Sequence, residues 1–157
     1  MATELECFSR NLYCLRSELL GPVISINSAN KLLAGEAPET TNENIKKIDS
    51  ISSQLLSEIH PIPSNMIDKQ SPDYAAKQLR SLANGWGKNI EDLYFHLNQL
   101  KSMQSQLEDT DKILITIIFN GLLRFQGYIR NLKTIQTTYL TQDEDSFAKI
   151  LNFDIPK

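Results

Sequence analysis

The chain has 157 residues with 16 basic and 19 acidic side chains, which is long enough for one domain with a substantial core. Its formal net charge of -3 gives no general attraction to nucleic acid or to an anionic membrane surface, so we expect neither as a partner. An acidic N-terminus and the lack of an apolar run of about 20 residues predict a cytoplasmic protein without a membrane span.

The first predicted element is a long amphipathic helix from about Thr3 to Leu33. Apolar residues recur there at intervals of three and four, which indicates one buried stripe. Gly35 is expected to end the helix, because glycine is common just beyond a helix C-terminus. The polar residues 36–41, with a proline among them, are expected to form a loop.

A second helix is predicted to follow the possible caps Thr41 and Asn42 and to stop at His60, where a proline follows. It completes a first predicted hairpin over residues 3–60. Three prolines among small polar residues then predict a linker over 61–72, through which the second helix does not continue.

The second half of the chain is predicted to form another pair of helices, which are longer than α-helical segments of average length. A third helix is predicted from about Pro72 to Leu107, a turn over Glu108 to Asp111, and a fourth helix from Ile113 to near Thr141. Together they make a second hairpin over residues 73–141. Asp143 is expected to cap a short C-terminal helix over 143–152.

The sequence shows no alternation typical of strands, so the predicted fold class is all-α. Two antiparallel hairpins with wide apolar stripes are expected to bury those stripes against each other. The predicted architecture is therefore a four-helix bundle with a short C-terminal helix, in a single domain.

Pro22 lies inside the first predicted helix, where a proline removes a backbone hydrogen bond and costs roughly 3 kcal/mol. The apolar stripe continues across it without a change of phase, which favours a helix that runs through Pro22 with a kink. The alternative is a helix that begins only after Gly21, with Pro22 in its first turn.

Ser17 and Glu18 are followed, after three residues, by Pro22, and a similar pattern of His-Glu and proline occurs in one family of signalling proteins. Residues 11–59 resemble the dimerisation and phosphotransfer hairpin of sensor histidine kinases. Ser17 stands in place of that family's phosphorylated histidine, and Gly21 in place of the residue that orients water for its phosphatase activity. The matching residues are Glu18, Leu19, Pro22, Ile26, Leu32 and Leu33.

The resemblance implies a binding module that does not autophosphorylate, because a serine lacks the imidazole nucleophile. It further implies a non-enzymatic signalling adaptor or inhibitor, monomeric or homodimeric, whose partner is a response-regulator receiver domain or a histidine kinase. No cofactor is expected. The surface implied for docking contains Arg16, Ser17, Leu20 and Asn27.

Helix 4 carries a basic stripe formed by Arg124, Arg130 and Lys133. This stripe is expected either to receive an acidic partner or to pair with carboxylates of the same chain. The pairing within the chain is the favoured interpretation, and its acceptors would be Glu58, Glu91 and Asp92.

Two histidines offer an alternative function, a histidine phosphotransfer protein that uses His96 or His60. His60 lies at a helix end, where capping of carbonyl groups is the simpler role, and His96 flanks an apolar stripe. A bacterial effector or immunity-type binding protein is a further alternative. Two histidines and two cysteines on separate helices show no metal-ligand spacing.

Two large aromatic residues are each flanked by glycines, which predicts close helix packing around the rings or, failing that, a pocket. They are Trp86, with Gly85 and Gly87, and Phe125, with Gly121 and Gly127. Cys7 and Cys14 lie about 10 Å apart along helix 1, so they are expected to be reduced thiols.

Overall fold

The structure is a computed structural model that describes residues 3–36, 42–68, 70–102 and 108–152. These described residues contain seven helices and no strand, so the all-α prediction is confirmed. The helices are α1 (Glu4–Glu36), α2 (Asn42–Ile59), α3 (Ile62–Ile67), α4 (Pro72–Ser102), α5 (Asp109–Lys133), α6 (Thr137–Leu140) and α7 (Glu144–Asn152).

Helix α1 runs without interruption through Pro22, which is buried inside it. Ser17 to Gly21 are helical, so the alternative of a helix that starts after Gly21 is wrong. Gly35 also has helical backbone, and the predicted cap at this glycine is wrong because the helix continues to Glu36. The loop predicted after it lies in 37–41, outside the described residues.

The predicted linker over 61–72 contains the short helix α3, which the sequence did not predict. Pro61 is its N-cap residue and Pro63 lies in its first turn, where a missing N–H is tolerated. Ile62 and Met66 are buried, so this segment covers one end of the core. The prolines therefore stop α2 and also start α3.

Helix α5 begins at Asp109, inside the turn that was predicted over 108–111. Glu108 is already the N-cap of α5 and forms a capping box with Asp111, so the expected turn over 108–111 is wrong after its first residue. Residues 103–107, which include the predicted end of helix 3, lie outside the described residues.

Helix α5 ends at Lys133, well before the predicted end near Thr141. The hydroxyl of Thr134 donates to the carbonyl of Asn131 at 2.9 Å. The carbonyl of Ile135 accepts a hydrogen bond from the guanidinium of Arg80 on α4. These bonds replace the helical ones, and the short helix α6 then begins at Thr137.

Four long helices contact one another in a cycle, in which α1 packs on α2 and α5, and α4 packs on the same two helices. The hydroxyl of Tyr128 donates to Glu18 at 2.8 Å, and Gly121 approaches Ile26. The higher-numbered residue of α5 thus faces the lower-numbered residue of α1. These two helices are therefore antiparallel.

Asn11 connects α1 to the chain that follows α5. Its side chain is fully buried, and its amide nitrogen Nδ2 donates to the carbonyls of Leu140 at 3.0 Å and Gln142 at 2.9 Å. A third, longer bond of 3.4 Å reaches the carbonyl of Tyr139. One side chain therefore supplies the donors that the end of α6 lacks.

Helix α7 begins as predicted, with Asp143 as its capping residue. The backbone N–H and the hydroxyl of Ser146 both donate to the Asp143 carboxylate at 3.0 Å. Phe147 and Leu151 are buried and dock the helix. The predicted role of Asp143 is confirmed.

Acidification is expected to loosen α7 before the rest of the chain. The backbone N–H and then the hydroxyl of Ser146 hold the pKa of Asp143 below its usual value. A carboxyl with a lowered folded pKa stabilises the fold above its unfolded pKa, about 3.9, and this stabilisation is lost as the pH falls through the folded pKa. The protection factor of the Phe147 amide, which is the exchange rate corrected for the intrinsic rate at each pH, should therefore fall in this acidic range.

Asp143→Asn is the control for this effect, because asparagine also caps helices but does not titrate. The variant should show much weaker acid dependence at Phe147. An equal fall of the Phe147 protection factor in both proteins would contradict the assignment to Asp143.

Candidate functional site

One side of α1 faces away from the core and forms an uncharged stripe, which we name the α1 outer face. Its residues follow at spacings of three and four along the helix and are all exposed. They are Tyr13, Ser17, Gly21, Ile24, Ser28 and Leu32.

The α1 outer face exposes large side chains that usually prefer burial. The exposed fractions are 52% for Tyr13, 49% for Ile24 and 65% for Leu32. Single exposed apolar residues are normal, but alignment along one helix face is typical of a contact surface. Between Glu18 and Lys31 the chain has no charged side chain at all, so the middle of the face, from Gly21 to Ser28, lies in an uncharged segment.

A second helix, α5, also exposes apolar side chains. Ile113 and Ile117 of α5 are 61% and 40% exposed. Because α5 is antiparallel to α1 and Gly121 meets Pro22 and Ile26, these two isoleucines lie level with the C-terminal half of α1. Exposed apolar side chains of α5 and Leu32 of α1 are therefore found at a similar height along the two helices.

The structure separates the residues that the resemblance implied for docking. Ser17 is exposed, whereas Leu20 is partly buried and packs on the core. The Arg16 nitrogen Nε donates to the carbonyl of His60 at 2.7 Å and thus links α1 to the end of α2. Of these residues, only Ser17 belongs to the α1 outer face.

Asn27 does not lie on an accessible surface, so its predicted place there is wrong. It is 7% exposed, and its Nδ2 donates to the hydroxyl of Ser52 at 2.8 Å and that of Ser53 at 3.3 Å on α2. A buried amide is costly unless it is hydrogen-bonded, and these hydroxyls meet that need. Asn27 therefore joins the two helices.

The basic residues Arg124, Arg130 and Lys133 are all exposed. Among the described residues they form no ion pair with Glu58, Glu91 or Asp92, so the favoured pairing within the chain is wrong. Arg124 lies beside the hydroxyl of Tyr128. Glu58 instead accepts a hydrogen bond from the indole nitrogen of Trp86 at 2.5 Å.

The two histidines occupy different environments. His96 is partly buried, with Nδ1 at 3.0 Å from the Oδ1 of Asn44 and its ring edge-on to Phe95. This contact holds the imidazole of α4 against the side-chain amide of α2. His60 is exposed. In the described part of the chain, no group of three or more His, Cys, Asp or Glu side chains is placed to hold a metal ion.

Cys7 and Cys14 are free thiols and partly buried, as the prediction of reduced cysteines required. Burial, followed by the nearby carboxylates of Glu18 and Glu144, raises the pKa of the Cys14 thiol. A thiolate is the reactive form of cysteine, so this environment opposes a nucleophilic role for Cys14.

The glycine and aromatic pattern has two outcomes. Trp86 and Phe125 are buried with ring centroids 5.8 Å apart. A Cβ added at Gly121 would lie 2.9 Å from Cγ1 of Ile26 and 3.0 Å from the carbonyl oxygen of Pro22, so this glycine permits close packing of α1 and α5.

Close packing does not explain the other pair of glycines. Added Cβ atoms at Gly85 and Gly87 would meet nothing within 4 Å, so the packing interpretation is wrong for both positions. They belong to a helix surface without a neighbour at those points.

None of the helices in the part of the chain that the structure describes is long and apolar enough to cross a membrane. Comparisons of this chain with family models, with characterised proteins and with solved structures find no match.

Proposed function

We propose that this chain is a non-enzymatic protein-interaction module whose α1 outer face binds another protein. The four long helices act as its scaffold, a four-helix bundle of two antiparallel hairpins. The observation that carries the proposal is the exposure of Tyr13, Ile24 and Leu32 along one uncharged helix face.

The physical reason lies in the free energy of apolar surface. Burial of apolar area gains roughly 25 cal/mol per Å², and aromatic residues are enriched at protein interfaces. Small residues alternate with the large ones, and nothing lies within 4 Å of a Cβ added at Gly21. A partner backbone can therefore approach α1 closely between Tyr13 and Ile24.

The partner that we favour is a receiver domain, by analogy with the kinase hairpin that residues 11–59 resemble. Ser17 and Gly21 are both exposed and lie within two helical turns before Pro22, which supports use of the corresponding surface. A receiver domain is also a defined probe for the test. This choice of partner rests on the analogy alone.

A double variant, Ile24→Asp with Leu32→Asp, is expected to weaken partner binding at least tenfold. Each carboxylate would have to lose water in the middle of an apolar contact. The measurement is calorimetric titration with purified receiver domains, phosphorylated and unphosphorylated, and with any partner captured by the wild-type chain and then purified. Sedimentation of the chain alone distinguishes a homodimer.

Phe95→Asp is the matched control, because Phe95 is 57% exposed on α4 and lies outside the α1 outer face. It should leave the affinity unchanged. The proposed surface is wrong if Phe95→Asp abolishes binding and the double variant, still folded by circular dichroism, does not.

A further inference from the structure

A cleft of about 530 Å³ lies where the first hairpin passes into the second, between the end of α2, the short helix α3 and the start of α4. Its walls combine polar and apolar side chains. Those that matter below are Glu58, Asn65, Met66, Tyr74, Gln78 and Leu82. This cleft is separate from the α1 outer face and shares no residue with it.

Glu58 supplies the charge in this cleft. Its Oε2 accepts from the indole nitrogen of Trp86 at 2.5 Å, and its Oε1 accepts from Nε2 of Gln54 at 3.3 Å. Both donors are neutral, and within the described residues no lysine, arginine or histidine forms an ion pair with Glu58. A carboxylate can accept about four hydrogen bonds, so Glu58 keeps acceptor capacity toward the cleft.

The other walls suit an aliphatic group rather than a second charge. Met66 is buried, Leu82 is partly buried, and Tyr74 adds an aromatic ring. Asn65 and Gln78 contribute neutral amides. A site with one carboxylate, an aromatic ring and an apolar wall is suited to a cation on a hydrocarbon stem.

We propose that this cleft binds an organic monocation, an ammonium or guanidinium group on an aliphatic stem. The cation pairs with Glu58, and the stem lies along Met66 and Leu82. Charge-assisted hydrogen bonds of this kind are about twice as strong as neutral ones, and the partly buried position limits competition from water. The cation can come from a free alkylamine or from a lysine or arginine side chain of another protein.

Trp86 provides the signal for the test, since it is the only tryptophan in the chain and bonds directly to Glu58. Hexylammonium and hexylguanidinium are titrated while tryptophan fluorescence and the indole N–H resonance are followed. Saturable changes are expected with both cations. 1-Hexanol, which has the same stem and no charge, should bind at least tenfold more weakly.

Glu58→Gln should weaken hexylammonium binding at least tenfold, because the amide keeps an oxygen for Trp86 but loses the charge. Glu91→Gln, at an exposed carboxylate of α4, is the matched control and should bind like the wild type. Asn65→Lys is a second variant that leaves Glu58 intact. Its new ammonium can occupy the cleft, so it should also abolish binding.

A peptide with one central lysine and blocked termini separates the two sources. Binding of the peptide at least as tight as that of hexylammonium assigns the cleft to a protein side chain, and tighter binding of hexylammonium assigns it to a small amine. The proposal is overturned if the wild type shows no saturable change, if hexanol binds as tightly as hexylammonium, or if folded Glu58→Gln keeps full affinity.

Discussion

Asn11→Ala is expected to lower the free energy of unfolding by about 2–4 kcal/mol, because a buried acceptor left without a partner costs about 1–3 kcal/mol. The amide of Asn11 is fully buried and donates to the carbonyls of Leu140 and Gln142. Alanine leaves both without that donor and opens a small cavity at the end of α6. Urea denaturation followed by circular dichroism measures the change.

Asn98→Ala is the control, because it removes an asparagine that is not buried. Asn98 is exposed on α4, so its replacement should change the stability by at most about 0.5 kcal/mol. A similar loss in both variants would mean that the hydrogen bonds of Asn11 contribute little.

Asn11→Asp tests the donor directly, since it keeps the shape but replaces the amide nitrogen with a second oxygen that faces the same carbonyls. An aspartate there has a folded pKa above its unfolded value of about 3.9. Its stability should therefore fall as the pH rises from about 4 toward neutrality.

Gly121→Ala is expected to cost about 1–3 kcal/mol, the usual range for overpacking. The new methyl carbon would lie 2.9 Å from a side-chain carbon of Ile26 and 3.0 Å from the backbone oxygen of Pro22. The Ile26 side chain has little room to move aside because it is fully buried. The carbonyl oxygen of Pro22 cannot move by itself because it belongs to the backbone of a continuous helix. Relief requires α1 and α5 to move apart.

Gly85→Ala is the matched control and should have the opposite sign. It makes the same chemical change inside a helix, but nothing lies within 4 Å of the new Cβ. Alanine is favoured over glycine in a helix by about 1 kcal/mol, so this variant should be more stable than the wild type. Thermal and urea unfolding measure the change in stability of both variants. A Gly121→Ala variant more stable than the wild type would contradict the close packing of α1 and α5.

Predictions that depended on neighbours three or four residues away were accurate, apart from the cap at Gly35 and the turn over 108–111. The spacing of apolar residues placed α1, α2 and most of α4 and α5, and Asp143 was identified as a cap from its position before an apolar run. The continuity of the stripe across Pro22 likewise predicted that the helix runs through this residue, while the kink expected there stays a prediction. Such patterns lie within a helix, so the sequence contains all that is needed to recognise them.

Predictions that depended on contacts between helices failed where a polar group found a partner distant in sequence. Asn27 was expected at the surface but pairs with Ser52, and Glu58 was expected beside the basic stripe but pairs with Trp86. Their residue types allow either outcome. The choice follows from how the helices are rotated against each other.

The α1 outer face was also not predicted from the sequence, because exposure depends on how the helices pack. No charged residue lies between Glu18 and Lys31, and this feature of the sequence could have pointed to Ile24 as an exposed apolar residue. Leu19, Val23 and Ile26 were assigned to the buried stripe and are buried, whereas Ile24 and Leu32 were not assigned to it. Only the packed helices show which side stays in water.

By itself, the sequence of this chain determined the helical fold class, the unbroken course of α1 through Pro22 and the cap of α7. The tertiary structure decided the early end of α5, where Arg80 binds the carbonyl of Ile135, and the need for glycine at position 121 but not at 85. Local periodicity specifies a helix because its hydrogen bonds join near neighbours. Burial and pairing across helices depend on residues that are far apart along the chain and adjacent only after folding.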